Sequence, residues 1–186
     1  MKNFNNTPQE TLNIHIPTPW LADIIMKDIS KFIELYPFIY INIVTDDNLP
    51  DFHNLEKCNF ALIPYPPKDP KLIRRHLTEF TMGLYASKNY LKKFGTPKKI
   101  EDLESHQMIS SSSRSKEALE LFNWHLKLGK DLLQKSFKPY LTSNHCFAVA
   151  KNDLGIAFLA KENRLLKEKK ELIEVLPEIK KPQGNV

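Results

Sequence analysis

The sequence is short of glycine and cysteine, with five and two of them in 186 residues, and rich in proline, with thirteen. The cysteines, Cys58 and Cys146, have no metal-ligand spacing. They exclude a disulfide framework and a zinc ribbon, and point to a reducing, cytoplasmic setting. The few glycines form neither a paired-glycine dinucleotide fingerprint nor a Gly-x-Ser-x-Gly elbow. No apolar run approaches the length that crosses a bilayer, and no charged and apolar leader precedes Thr11, so neither a membrane span nor a secretory signal is expected. The six histidines, at 15, 53, 76, 106, 125 and 145, contain no pair at the i, i+4 spacing of a metal helix, and His53 and Cys58 are too isolated to be ligands. No convergent acid, base or nucleophile is legible. The expectation is therefore no enzyme, no cofactor and no metal.

What is present describes an ordinary globular chain. Hydrophobic residues make up 41% and charged residues 26%, enough for one domain or two small lobes with a real core. The net charge of +5 permits attraction to polyanions, yet Lys and Arg are interspersed with Glu and Asp. Without a concentrated basic stripe, direct DNA binding by this chain is not expected.

Periodicity predicts alternating strands and helices. Leu12 to Ile16 alternates as a strand, and Thr18 and Pro19 start a helix whose apolar positions Leu21, Ile25, Ile29, Phe32 and Tyr36 fall about a turn apart before Pro37 ends it. Phe38 to Val44 reads as a second strand, "NLPDFHNLEK" as a short polar helix and "NFALIP" as a buried strand. "LIRRHLTEF" and "TMGLYA" read as further strands. Ser87 is placed to cap "KNYLKKF", with Gly95 in the left-handed position that closes it. "KKIEDLESHQMIS" gives a helical turn and a strand, then a serine run lacking the glycines and lysine of a phosphate loop. Helix to about Leu121 followed by strand is the reading preferred for 116–133, although propensity extends the helix. "FKPYLTS" reads as a strand, "HCFAVAKND" as a helix capped by Ser143 or Asn144 and closed by Gly155, and "GIAFLA" as a buried strand. "KENRLLKEKKEL" follows as a charged helix and "LIEVLPEI" as a last extended piece. The class is α/β.

With these segments in view, the chain resembles the effector-binding domain of LysR-type transcriptional regulators. The resemblance is carried by "LNIHIPTPWLADIIMKDISKFIELYPFIYINI", "NFALIP", "LYASKNYLKKFGTPKKIEDLESHQMI", "LTSNHCFAVAKNDLGIAFLA" and "LIEVLP", in family order from about Leu12 to Pro177. It implies two Rossmann-like lobes of the type 2 periplasmic-binding-protein kind, joined by two crossovers. On that pattern 1–10 is a disordered arm, 11–86 the first part of lobe I, 87–160 lobe II, 161–179 the return to lobe I, and 180–186 a disordered tail. The winged helix-turn-helix that the family places first, and its usual last strand and helix, are not matched by residues here. The pattern also has an aspartate where Asn59 stands, and often a proline at Ala160.

The resemblance further implies a small organic effector bound between the lobes, and a homodimer through the helix from Trp20 to Tyr36. General chemistry places the ligand at the same points, because in open α/β sheets helix N-termini beyond the carboxyl ends of strands present free N–H groups. The effector-binding candidates are Thr18, Pro19, Trp20, Thr45 and Tyr65 with Ser110, Ser111, Ser143 and Asn144. Their polarity points to a carboxylate-bearing metabolite. Thr18 and Asn144 read equally as plain caps, Tyr65 as packing in its proline-rich turn, and the serines as a solvated loop. A stand-alone metabolite-binding protein of the same shape, or a shortened regulator without function, is the competing expectation.

Overall fold

The computed structural model describes residues 10–45, 57–64, 69–114, 116–129, 137 and 139–186. They divide into two compact units, Met1–Arg74 and Arg75–Val186. The helix expected in "NLPDFHNLEK" and the candidate Tyr65 lie outside the described residues.

The first unit opens with β1 (Glu10–His15), α1 (Pro19–Leu35) and β2 (Ile39–Val44). β1 and β2 are parallel and in register from Glu10↔Ile39 to His15↔Val44, the pairing that a strand, helix, strand sequence requires. A short β3 (Phe60–Ala61) lies on the other side of β1, giving the order β2-β1-β3. Ile16 and Leu21 are fully buried where strand passes into helix. Three asparagines bind the sheet laterally: Asn42 Nδ2 donates to Asn13 Oδ1 at 2.8 Å, and the Asn13 N–H donates to Asn59 Oδ1 at 2.7 Å. Asn59 thus supplies a side-chain acceptor for the Asn13 backbone N–H beside β3, a task for which its amide oxygen serves as a carboxylate would.

The second unit is built around β4 (Glu79–Ser87), whose residues from Met82 to Ser87 are all buried. Burial on both faces explains its continuous apolar character. α2 (Lys88–Phe94) follows directly, then a 3₁₀ turn (Ile100–Ser105), β5 (Met108–Ser111), α3 (Lys116–Phe122) and a second 3₁₀ turn (Trp124–Lys127). β6 (Pro139–Ser143), α4 (Cys146–Lys151), β7 (Ile156–Ala160), α5 (Arg164–Lys169), β8 (Leu172–Val175) and β9 (Gln183–Asn185) complete it. The sheet order is β6-β5-β7-β4-β8, with β9 also on β4. β5 runs parallel to β6 and β7, while β4 is antiparallel to β7, β8 and β9. Tyr85, Ile109, Cys146, Ala150, Ala157, Leu159 and Leu172 form a core cluster, against which Phe147, Val149 and Leu166 pack.

The junction at Ser87 is as the sequence predicts. Its Oγ accepts the Tyr90 N–H at 3.0 Å and donates to Asp153, and Gly95 ends α2 at φ +88°. Five local expectations differ. Of "NFALIP", expected as a buried strand, only Phe60–Ala61 is strand and Phe60 is exposed. Trp124–Lys127 is a 3₁₀ turn and not a strand, because Asn123 and His125 turn their side chains onto β5. Strand structure begins at Glu79, so most of "LIRRHLTEF" is irregular. The charged helix is confined to Arg164–Lys169, started by Asn163 and stopped by Lys170 in the left-handed conformation. Gln183–Asn185, where disorder is expected, pairs with Glu79–Thr81. A partly buried ion pair supports that return: the Lys181 ammonium, 4% exposed, lies 2.6 Å from Glu174 and donates to the Pro177 carbonyl at 3.1 Å.

Candidate functional site

The candidate residues fall into two sets, one in each unit. In the first, Thr18 is extended (φ −125°, ψ 118°) and α1 begins with Pro19, as its fixed φ favours. The Thr18 side chain does not cap the helix. Its Oγ1 is buried and has no hydrogen-bond partner among the described residues. α1 has 17 residues and no acidic residue in its first turn, so no internal carboxylate offsets the positive end of its dipole. The Ile16 N–H donates to the Val44 carbonyl at 2.8 Å, which sets Thr45 at the same sheet end as the turn before Thr18. Thr45 is exposed and Trp20 half-buried.

In the second unit, β5 and β6 pair as Ser110↔Thr142 and Ser111↔Ser143, bringing a cluster of hydroxyls to the carboxyl ends of two parallel strands. Ser110 is buried and its Oγ lies 2.5 Å from Thr142 Oγ1. Ser143 Oγ accepts the His145 N–H at 2.9 Å, and the helix begins one residue later at Cys146 with His145 in the capping position. Neither Ser143 nor Asn144 is the cap, then, and Asn144 is exposed. The sequence reading missed Thr142, Asn123 and His125. Thr142 becomes visible only through strand register. Asn123 and His125 carry no sequence signal at all.

Burial is the largest cause of the shifts at the two thiols and at His125. Burial pushes the Cys146 thiol up to about 11, with hydrogen bonds from its own backbone and from Ser111 opposing, so it is protonated at neutral pH. Burial likewise raises the Cys58 thiol, against a bond from the His15 backbone. Burial lowers the His125 imidazole to about 4. Among the described residues no three His, Cys, Asp or Glu side chains gather as a metal site requires, and no helix is long and apolar enough to cross a membrane. A surface groove of about 290 Å³ elsewhere in the second unit, lined by Ile100, Leu176 and Ile179 with Lys98 and Lys99, includes none of the candidates.

Hydroxyls and helix starts at the carboxyl ends of two separate α/β sheets are the features that comparison must explain. Residues 5–178 match the LysR substrate binding domain. The chain belongs to that family. The LysR domain is 31% identical over 177 residues to an HTH-type transcriptional regulator of Haemophilus influenzae, covering 92% of this chain and 59% of that protein. It is 30% identical over 118 residues to the HTH-type transcriptional activator AaeR of Escherichia coli, covering 63% of this chain and 38% of that protein. It therefore spans between about two fifths and three fifths of these relatives' length. Among solved structures it is similar to the regulatory domain of CrgA from Neisseria meningitidis, with TM-score 0.73 and 24% identity over 96% of this chain and 87% of that one. It is also similar to the CcmR regulatory domain of Synechocystis PCC6803 in complex with 2-PG, with TM-score 0.71 and 16% identity over 95% and 85% of the two chains. The fold of the LysR domain is thus the type 2 periplasmic-binding-protein kind seen in LysR regulatory domains.

Proposed function

We propose that this LysR domain is the sensing part of a cytoplasmic transcription regulator and binds a small organic anion without transforming it. The observation that carries the reading is Thr18: a buried hydroxyl without a partner among the described residues, at the start of a long helix with no acid in its first turn. A buried hydroxyl left unpaired costs about 1–3 kcal/mol, which an anionic ligand accepting its hydrogen bond would recover.

In this reading lobe I comprises 11–86 with 161–179, and lobe II 87–160. The effector contacts are read at Thr18, Pro19, Trp20 and Thr45 in the first set and at Ser110, Ser111, Ser143 and Asn144 in the second. Closure is favoured by the ligand's higher affinity for the closed state, and the change passes to the partner subunit of a homodimer. A thermal-shift screen of small organic acids and amino acids tests the proposal, since a ligand of the folded state raises Tm by mass action. Thr18→Val should weaken the first-ranked acid about tenfold, the worth of one hydrogen bond to a charged group. Equal affinity in wild type and variant would dismiss the site.

The dimer is read through α1, where Met26, Ile33 and Leu35 are exposed, Leu35 at 73%. Such an apolar surface on a charged chain is the mark of a protein contact. Light scattering across a concentration series should show dimer, and Leu35→Glu should shift it toward monomer. Monomer at every concentration would refute the contact.

A further inference from the structure

β5 has its two edges covered by different means. On one edge it pairs with β6 as far as Ser111↔Ser143. On the other the pairing with β7 stops at Ile109↔Ala157. Backbone groups alternate sides along a strand, so Gln107, Ile109 and Ser111 share the edge that faces β7. The Gln107 carbonyl there accepts the Ile156 N–H at 2.8 Å. Beyond this point the partners are side chains. His125 Nε2, as its N–H tautomer, donates to the Ile109 carbonyl at 2.9 Å. Asn123 Oδ1 accepts the Ser111 N–H at 2.6 Å, and Asn123 Nδ2 donates to the Ser111 carbonyl at 2.8 Å.

The spacing matches: two residues two apart bond two residues two apart, as in a strand. The bearing segment is itself fixed, since the Leu126 N–H returns to the Asn123 carbonyl at 3.0 Å. The Trp124 and His125 rings lie 5.6 and 5.2 Å from the Phe158 ring of β7. His125 is fully buried, so its bond to Ile109 is shielded from competing water.

We infer that Asn123 and His125 are positioning residues that act as a two-residue side-chain strand, fixing the end of β5 and with it the Ser110 and Ser111 hydroxyls. The consequence for ligand binding rests on the proposed effector site. A hydroxyl held to within a few tenths of an ångström binds better than one on a frayed strand end, because ordering it on binding costs affinity. Ser110, 2.5 Å from Thr142, keeps that geometry only while β5 holds its register with β6.

Amide hydrogen exchange on the full chain tests the inference. In Asn123→Ala the Ser111 amide should exchange at least about tenfold faster, while Leu84 on β4 and Leu159, which faces Gly83 of β4 from β7, keep their protection, separating local release from general loss of fold. Asn123→Asp, which retains the acceptor for the Ser111 N–H but sets an oxygen in place of the donor to the Ser111 carbonyl, should restore only part of that protection. His125→Gln, which retains an N–H donor, should leave it nearly unchanged. Affinity for the first-ranked acid of the thermal-shift screen should fall several-fold in Asn123→Ala. Unchanged exchange at Ser111 overturns the inference whatever the binding result. Faster exchange with unchanged affinity, while Ser110→Ala weakens binding, overturns the positioning role and leaves the site standing. Should neither variant alter affinity, the effector reading falls and the clamp on β5 stands on exchange alone.

Discussion

Replacing Gly155 with alanine is expected to destabilise the second unit by about 3–5 kcal/mol, and so to lower its melting temperature by about 10–20 °C. Gly155 lies at φ +149°, a conformation that side chains rarely adopt, and a Cβ there would stand 2.3 Å from the Gln107 carbonyl oxygen. That oxygen accepts the Ile156 N–H, the bond with which β7 joins β5. The added carbon has no flexible neighbour to displace, because the two nearest atoms are the Gln107 carbonyl oxygen and carbon and the third is the Gln107 Cβ. Either the strand moves away and loses its first ladder bond, or the chain rotates and Ile156 leaves a fully buried position. Both routes add strain to lost packing, and the two costs accumulate. Circular dichroism melting of wild type and variant reads the effect directly. A loss below about 1 kcal/mol would mean that the turn from Asp153 to Gly155 rearranges at little cost.

The second large effect is on acid stability. Burial lowers the His125 imidazole from the ordinary 6.5 to about 4, against the opposing bond to the Ile109 carbonyl. Between those values the unfolded chain binds a proton that the folded chain refuses. Stability therefore falls as pH drops from about 6.5, by about 1.4 kcal/mol per unit at most and about 3 kcal/mol in all, and is unaffected by this group above that range. His106 acts in the same direction, its imidazole lowered by burial and partly raised again by Asp102. Carboxylates contribute at lower pH. Burial raises the Glu174 carboxyl, but its bonds to Lys181 and Lys161 more than offset this and leave it below the usual range. Its stabilisation is present above the unfolded value near 4.5 and is lost as pH falls through the lower folded one. The interval from pH 6.5 to 5 is thus governed by histidine. His125→Gln keeps a donor for Ile109 and removes the titration, so urea unfolding at pH 7 and pH 5 should differ much less in the variant than in wild type. An equal pH dependence in both would place the proton elsewhere.

The local elements of this protein are dictated by residues close together in the chain. Pro19 starts α1 and Pro37 follows its end, because proline fixes φ and lacks a donor. Ser87 caps α2 and Gly95 closes it through bonds spanning three or four residues. The order of strands and helices follows from apolar periodicity. Pairing across the sheets needed the tertiary structure. Whether Ser110 meets Thr142 depends on a register between segments 32 residues apart. The alternation of Trp124, Leu126 and Leu128 looked like a strand from the chain alone, since nothing local reveals that Asn123 and His125 bond β5 in place of one. Likewise the tail reads as disordered by composition, yet β4 offers it an open edge at Glu79–Thr81. Local bonds are fixed by neighbours in sequence, whereas the partners of a strand edge or a buried imidazole are chosen by whatever the folded chain brings within about 3 Å.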